Sequence, residues 1–215
     1  MSELKRIKFT EEVLYETKNA IVMLDIFAHS ENAHVVMHNF EHPIMEEHAK
    51  VVTKNGGDIL EIGFGMGIFA DYAQSSSINS HTIVENHPQI ISKLIDWSKD
   101  KPNVKIISQS WYEAKEEGLF EKYDGIFFDT YGDDKFRYWK DHIQDGTLTK
   151  KGTVLSWYNG VEESTIGTGK APLNGNPYNH EIPDTLYYPI EVPTQKYYKE
   201  LHTGSVYWIP QKTFI

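Results

Sequence analysis

The pattern of apolar and polar positions divides the chain into three stretches. Over residues 9–30, apolar side chains fall at Val13, Leu14, Ile21, Leu24 and Phe27, a spacing that predicts a helix. A second helix is predicted over 40–54, ended by the Gly56-Gly57 turn pair. Short apolar runs then alternate with helical segments. Runs at 58–62, 82–85, 104–108, 125–129 and 153–157 read as strands, and 67–76, 88–100, 111–118 and 134–145 read as helices between them. Strands alternating with helices imply a parallel sheet covered on both faces. Residues 160–185 are rich in Gly, Pro and Asn and fit no helix of normal length. The chain closes with two predicted strands, 186–193 and 204–212, joined by a turn around Gly204. The expected fold is α/β: a seven-stranded Rossmann-like sheet, mostly parallel, with a C-terminal β-hairpin and a helical N-terminal cover. It is read as one domain over 1–215, with a cover at 1–55, a core at 56–159, and a variable loop plus hairpin at 160–215.

Composition narrows the chemistry. The 215 residues suffice for one well-buried domain. With 21 Lys and Arg against 31 Asp and Glu, the formal charge is 21 − 31 = −10. Such a balance repels phosphate backbones, so nucleic acid is not expected as a partner. There is no cysteine, which excludes disulfides, thiolate metal sites and a thiol nucleophile. The most apolar segment, 20–28, is short and contains Asp25, so no membrane partner is expected and a cytoplasmic setting is the default. Whether the chain is a monomer or a homodimer is not legible.

The strongest local signal is Asp58-Ile-Leu-Glu-Ile-Gly-Phe-Gly-Met-Gly67, a buried strand running through three alternate glycines into a helix. Glycine serves where the backbone turns tightly and a ligand comes close. A dinucleotide fingerprint needs glycine three positions after Gly65, and Ile68 stands there. E-x-G-x-G-x-G instead suits S-adenosylmethionine (SAM). Glu61 then helps to hold the amino-acid end, and Gly63, Phe64, Gly65, Met66 and Gly67 form the cofactor loop. Glu85, at the end of the next strand and followed by Asn86, is placed to accept from the ribose hydroxyls. Gln109 and Ser110, after the third strand, are candidates for the adenine edge. Trp111 is either an apolar wall of that site or core. Asp129 ends the fourth strand, where ligands of open α/β sheets bind, with Thr130 and Tyr131 at the same corner. A carboxylate there can align an amine or guanidine for attack.

At these residues the chain resembles the guanidinoacetate N-methyltransferase family of class I SAM-dependent methyltransferases. The motifs are Val36-Met-His-Asn-Phe-Glu-His-Pro-Ile-Met45, Leu60-Glu-Ile-Gly-Phe-Gly-Met66, Ile83-Val-Glu-Asn86 and Tyr123-Asp-Gly-Ile-Phe-Phe-Asp-Thr-Tyr131. The resemblance implies a seven-stranded methyltransferase sheet and N-methylation of a small guanidino compound. It implies that Glu41 and Asp129 clamp the guanidino group, with Asp129 taking the proton and Glu41 orienting. It further implies that Met37, Met45, Glu85 and the Gln109-Ser110 turn lie against the cofactor. The match has departures. Phe40 stands for Trp, His42 and Ile44 for Thr and Tyr, and Gly67 for Ala. The resemblance runs from about Val36 to Asn159 with a weaker echo in the final hairpin, and the Gly/Pro-rich segment 160–185 does not match.

Two alternatives carry their own residues. His34, His38 and His42 recur every fourth position, a spacing that aligns metal ligands on a helix, but Pro43 interrupts it and solvent-facing histidines are the expectation. Asp129, Asp133 and Asp134 could hold Mg²⁺ for a catechol-type acceptor, although the latter two also read as a helix start. No metal is expected. A hydroxyl or carboxylate acceptor, or SAM binding without catalysis, are the other readings.

Overall fold

The structure is a computed structural model, and it describes residues 13–16, 20–24, 33–130, 145–158, 184–192 and 206–215, with Ile143 and Ile182. Strands β1 (Val13–Glu16), β2 (Ala20–Leu24) and β3 (Ala33–His38) form a small antiparallel sheet in that order. This corrects the helix expected over 9–30. Val13 pairs with Leu24 and Glu16 with Ile21, so the segment folds back on itself. Ala20–Leu24 is a continuous apolar run, and periodicity cannot tell such a run from a buried helix; its β-branched Ile21 and Val22 favour the strand. Of the helical cover, α1 (His42–Thr53) remains, entered through a 3₁₀ turn over Asn39–Glu41.

The main sheet holds β4 (Asp58–Ile62), β5 (Ser80–Val84), β6 (Val104–Ile107), β7 (Tyr123–Phe128), β8 (Thr149–Trp157), β9 (Leu186–Glu191) and β10 (Val206–Thr213). Their order is β6-β5-β4-β7-β8-β10-β9. The pairs among β4 to β8 are parallel, while β10 runs antiparallel to both β8 and β9. The sequence reading of a mostly parallel seven-stranded sheet ending in a hairpin is the one observed. Strand order reverses beside β4, and α/β sheets bind ligands at such a switch point.

Burial on both faces explains why the inner strands are legible. Ile59, Leu60, Glu61 and Ile62 are all buried. Ile59 faces α1 and α2 (Ile68–Gln74), packing with Met45, Val52, Phe69 and Phe127. Phe69 stacks on Phe127 with ring centroids 4.1 Å apart. Leu60 and Ile62 face the other way, toward Trp111 and Ala114 of α4 (Trp111–Glu116). Helix α3 (Pro88–Trp97) packs Ile90 and Leu94 against Ile83. The helix expected over 134–145 and the 160–185 loop lie outside the described residues, apart from Ile143, Asp145, Ile182, Asp184 and Thr185, as does the turn around Gly204.

Helix α1 is bound to the sheet by a buried polar relay. His48 Nδ1 lies 2.7 Å from Ser156 Oγ, and Nε2 lies 3.2 Å from the Tyr207 hydroxyl. The Ser156 hydroxyl donates to the Pro210 carbonyl at 2.5 Å, so it accepts from Nδ1–H and Nε2 accepts from Tyr207. Burial pushes the His48 pKa down to about 3, which keeps the ring neutral.

Candidate functional site

The glycine loop begins where β4 ends. Gly63, Gly65 and Gly67 all have positive φ, at 92°, 55° and 77°. A Cβ on Gly63 would lie 1.8 Å from the Asp129 carbonyl oxygen, and one on Gly65 would lie 2.7 Å from Met37 Sδ. These two glycines let β7 and Met37 approach the loop. The Asp129 amide donates to the Ile62 carbonyl at 2.8 Å, locking the two strand ends together. Met37 Sδ also accepts from the Met66 amide at 3.1 Å, and Met45 is fully buried in the same cluster. Met37 therefore lies against the loop, and Met45 shares its apolar cluster. The Phe64 ring turns away into the cluster of Ile83, Ile90 and Leu94.

Glu85 is buried and serves the loop directly. One carboxylate oxygen accepts from the Phe64 amide at 3.0 Å, the other from the amides of Asn86 and His87 at 2.8 Å each. The three donors fix its orientation and leave lone-pair capacity for a further donor. Glu61 is in the opposite condition. It is fully buried, and neither of its oxygens has a hydrogen bond among the described residues. Burial, then the charges of Asp129, Glu85 and Asp71, push its pKa well above the usual carboxylate range.

Glu41 enters from the other side of the site. The 3₁₀ turn is closed by a capping box in which the His38 amide donates to Glu41 Oε1 at 2.9 Å and His38 Nδ1 accepts from the Phe40 amide at 3.1 Å. Glu41 is 4% exposed, and burial and the charge of Asp129 push its pKa well up. Asp129 is half-buried, with its pKa pushed up to about 7 by burial and by Glu85. Asp129 thus acts electrostatically on both Glu41 and Glu61, and Glu85 acts on Asp129 and Glu61. Among the described residues neither Glu41 nor Asp129 is in an ion pair. Carboxylates gathered near the strand ends with raised pKa values are an arrangement that a cation would relieve.

The structure adds Tyr158, which sequence reasoning missed. Its amide donates to the Phe128 carbonyl at 2.9 Å, setting it beside Asp129 at the end of β8. Burial, then the charges of Glu41, Tyr207 and Asp129, raise its pKa well above that of a free tyrosine. The strand-end rule that selected Asp129 would have found it.

The remaining expected residues fall in several places. Ser110 caps α4, its amide donating to Glu113 Oε2 at 3.2 Å and its hydroxyl bonding the same oxygen. The Gln109 amide donates to Glu117 at 3.1 Å. Trp111 is 3% exposed and packs edge-on to Phe128, so it is core. Asn86 and Thr130 are half-buried beside Glu85 and Asp129, and Tyr131, Asp133 and Asp134 lie outside the described residues. His34 and His38 sit on β3 while His42 opens α1, so the three do not share a helix face. No cluster of metal-ligating side chains occurs among the described residues, and no described helix is long and apolar enough to cross a membrane.

Comparison with solved structures places the fold. Spermidine synthase from Thermotoga maritima superposes with a TM-score of 0.57 at 13% identity, covering 94% of this chain and 72% of that one. Fibrillarin from Aeropyrum pernix, solved with SAM, gives 0.56 at 13% identity, covering 94% and 100%. Sheet order, glycine loop and acidic strand ends together define a class I SAM-dependent methyltransferase. Within that class, the guanidinoacetate N-methyltransferase family matches residues 17–163, and the chain belongs to it. Protein arginine N-methyltransferase 2 of Kluyveromyces lactis is 33% identical over 155 residues, covering 64% of this chain and 36% of the relative. Its Saccharomyces cerevisiae counterpart is 31% identical over 156 residues, covering 64% and 35%. The chain spans about a third of the length of the curated relatives it matches.

Proposed function

We propose that the protein transfers a methyl group from SAM to a guanidino nitrogen of a small arginine-like acceptor. The observation that carries this reading is the pair Glu41, at the end of the 3₁₀ turn, and Asp129, just after β7. The two carboxylates are near enough for the charge of Asp129 to raise the pKa of Glu41, with no cation paired to either among the described residues. A guanidinium is a planar fork of donors that two carboxylates satisfy together. Its charge also offsets what raises the two pKa values, burial first and then the neighbouring carboxylates, Asp129 for Glu41 and Glu85 for Asp129.

The residues present fit the cofactor. Glu61 lacks the donor that an ammonium would supply. Glu85, held by three amides, has capacity for a ribose hydroxyl. Met37 lies against the loop, Met45 shares its apolar cluster, Met66 completes the loop, and the Gln109-Ser110 turn lies at the end of β6 for the adenine. When bound, SAM supplies an electrophilic methyl on a positively charged sulfur. Glu41 orients the acceptor, and Asp129 accepts the proton that leaves the guanidino nitrogen as its bond to carbon forms. An Asp129 pKa of about 7 suits that exchange near neutral pH. Tyr158, near enough to Glu41 and Asp129 for their charges to act on it, and Thr130, next to Asp129, complete the acceptor side of the proposed site.

The name of the curated relatives favours a second acceptor, arginine within a polypeptide. Labelled SAM incubated with guanidinoacetate, free arginine, an arginine-containing peptide, a simple amine and a catechol separates these readings. Transfer to a free guanidine supports the proposal, and transfer to the peptide alone moves the acceptor to protein. Transfer to no guanidine refutes it.

A further inference from the structure

The loop that holds Gly63 stands on a buried pair which the proposed chemistry leaves unexplained. Glu61 of β4 and His81 of β5 are both fully buried, and His81 Nε2 lies 2.8 Å from Glu61 Oε2. The parallel register brings them together, because Ile59 pairs with His81 and Glu61 with Ile83 on the same face. Gln74 of α2 closes the far side of the ring, its amide nitrogen 3.3 Å from Nδ1. An amide nitrogen only donates, so Nδ1 accepts and the ring proton sits on Nε2, facing Glu61. Phe69 packs edge-on, 6.3 Å away between centroids, and fixes the ring plane.

The pair is close but not linear, and Glu61 still lacks a full hydrogen bond. The groups that face it are His81 from β5, Asp71 from α2, Glu85 after β5 and Asp129 after β7. Three of these four are acids. Burial pushes the His81 pKa down to about 3, so the imidazole contributes a dipole and not a charge. A carboxylate so placed takes up a proton unless a donor and a cation are both at hand.

We propose that His81 is a positioning residue for the cofactor site: held by Gln74, it presents Nε2–H to Glu61 and keeps that carboxylate as the acceptor for the ammonium of SAM. The inference rests on the cofactor reading above, and it adds a residue outside the glycine motif that sets affinity for the amino-acid end.

The test is calorimetric titration of the full chain with SAM at pH 6.5 and pH 8.5, with steady-state kinetics alongside. His81→Phe keeps a ring and removes the donor, whereas His81→Gln returns an amide donor near the place of Nε2. His81→Phe is expected to weaken SAM about tenfold at pH 6.5 and less at pH 8.5, because an unsupported Glu61 must lose a proton before it binds. KM for SAM rises while kcat at saturation stays within about twofold. His81→Gln recovers most of the affinity, and in a Glu61→Gln background His81→Phe adds no further loss. If His81→Phe does not fold, Gln74→Leu carries the same test, with a smaller loss in the same direction. Unchanged affinity in whichever variant carries the test, equal losses in His81→Phe and His81→Gln, or additive losses with Glu61→Gln would each overturn the inference. Failure of the wild-type protein to bind SAM would overturn the cofactor reading itself, and this inference with it.

Discussion

Replacing Asp129 by asparagine separates the stability of the empty site from its activity. In the protein without ligands, burial and Glu85 push the Asp129 pKa from 3.8 to about 7. A shift of that size corresponds to about 4 kcal/mol against the charged form. Because the side chain is half-buried and water screens part of the repulsion, about 2 kcal/mol is the expected share. The folded state holds a proton that the unfolded chain has already lost between the two pKa values. The stability contributed by the protonated form is therefore full below the unfolded value and is lost as pH rises through 7. Asparagine resembles the neutral acid and escapes this loss. Asp129→Asn should thus be more stable than wild type by about 2 kcal/mol at pH 8, with the gap widening by about 1 kcal/mol between pH 5 and pH 8. Urea unfolding of both proteins across that range measures it. A gap independent of pH, or a wild type more stable at pH 8, would refute the idea that this carboxylate waits for a cation.

Three further substitutions probe the scaffold. Gly63→Ala places a Cβ 1.8 Å from the Asp129 carbonyl at a φ of 92°, and should cost about 3 kcal/mol or more in denaturant unfolding while abolishing SAM binding by calorimetry. Glu85→Gln turns an amide donor toward backbone donors, so a loss of about 1–3 kcal/mol and a clear drop in SAM affinity are expected from the same two assays. His48→Phe removes the acceptor that Tyr207 uses and should cost about 1–3 kcal/mol near pH 7.5. Its folded pKa of about 3 lies below the unfolded value of 6.5, so native His48 destabilises the fold as pH falls below 6.5. The loss in His48→Phe should accordingly shrink in unfolding curves taken toward pH 5.

The parts of this fold that could be read from sequence are those where one residue's environment follows from its own strand. Inner strands β4, β5 and β7 are buried on both faces, so they read as apolar runs. The positions of Glu85 and Asp129 directly after strands were legible because the apolar runs before them end at Val84 and Phe128. The segment 9–30 was misread because Ala20–Leu24 satisfies helix and strand patterns alike, and only pairing with its neighbours decides. Tyr158 directly follows the strand read at 153–157, so the strand-end rule reaches it; what the sequence does not report is that β8 lies next to β7 and sets Tyr158 beside Asp129. The contact of His81 with Glu61 depends on the register of β4 against β5, which no local motif reports. Ser110, expected at the adenine edge, proved to be also the cap of α4, a use that Glu113 three residues on would have signalled.

The central claim is that Glu41 and Asp129 act on a guanidino group beside an intact cofactor site. Single-turnover methyl transfer to a guanidino acceptor at saturating SAM, compared among wild type, Glu41→Gln and Asp129→Asn, tests it directly. Methyl should appear on a guanidino nitrogen in the wild type, and each variant should bind SAM with little change yet transfer about 10²-fold or more slowly. Transfer at the wild-type rate by either variant, or transfer only to an acceptor without a guanidine, would contradict the account.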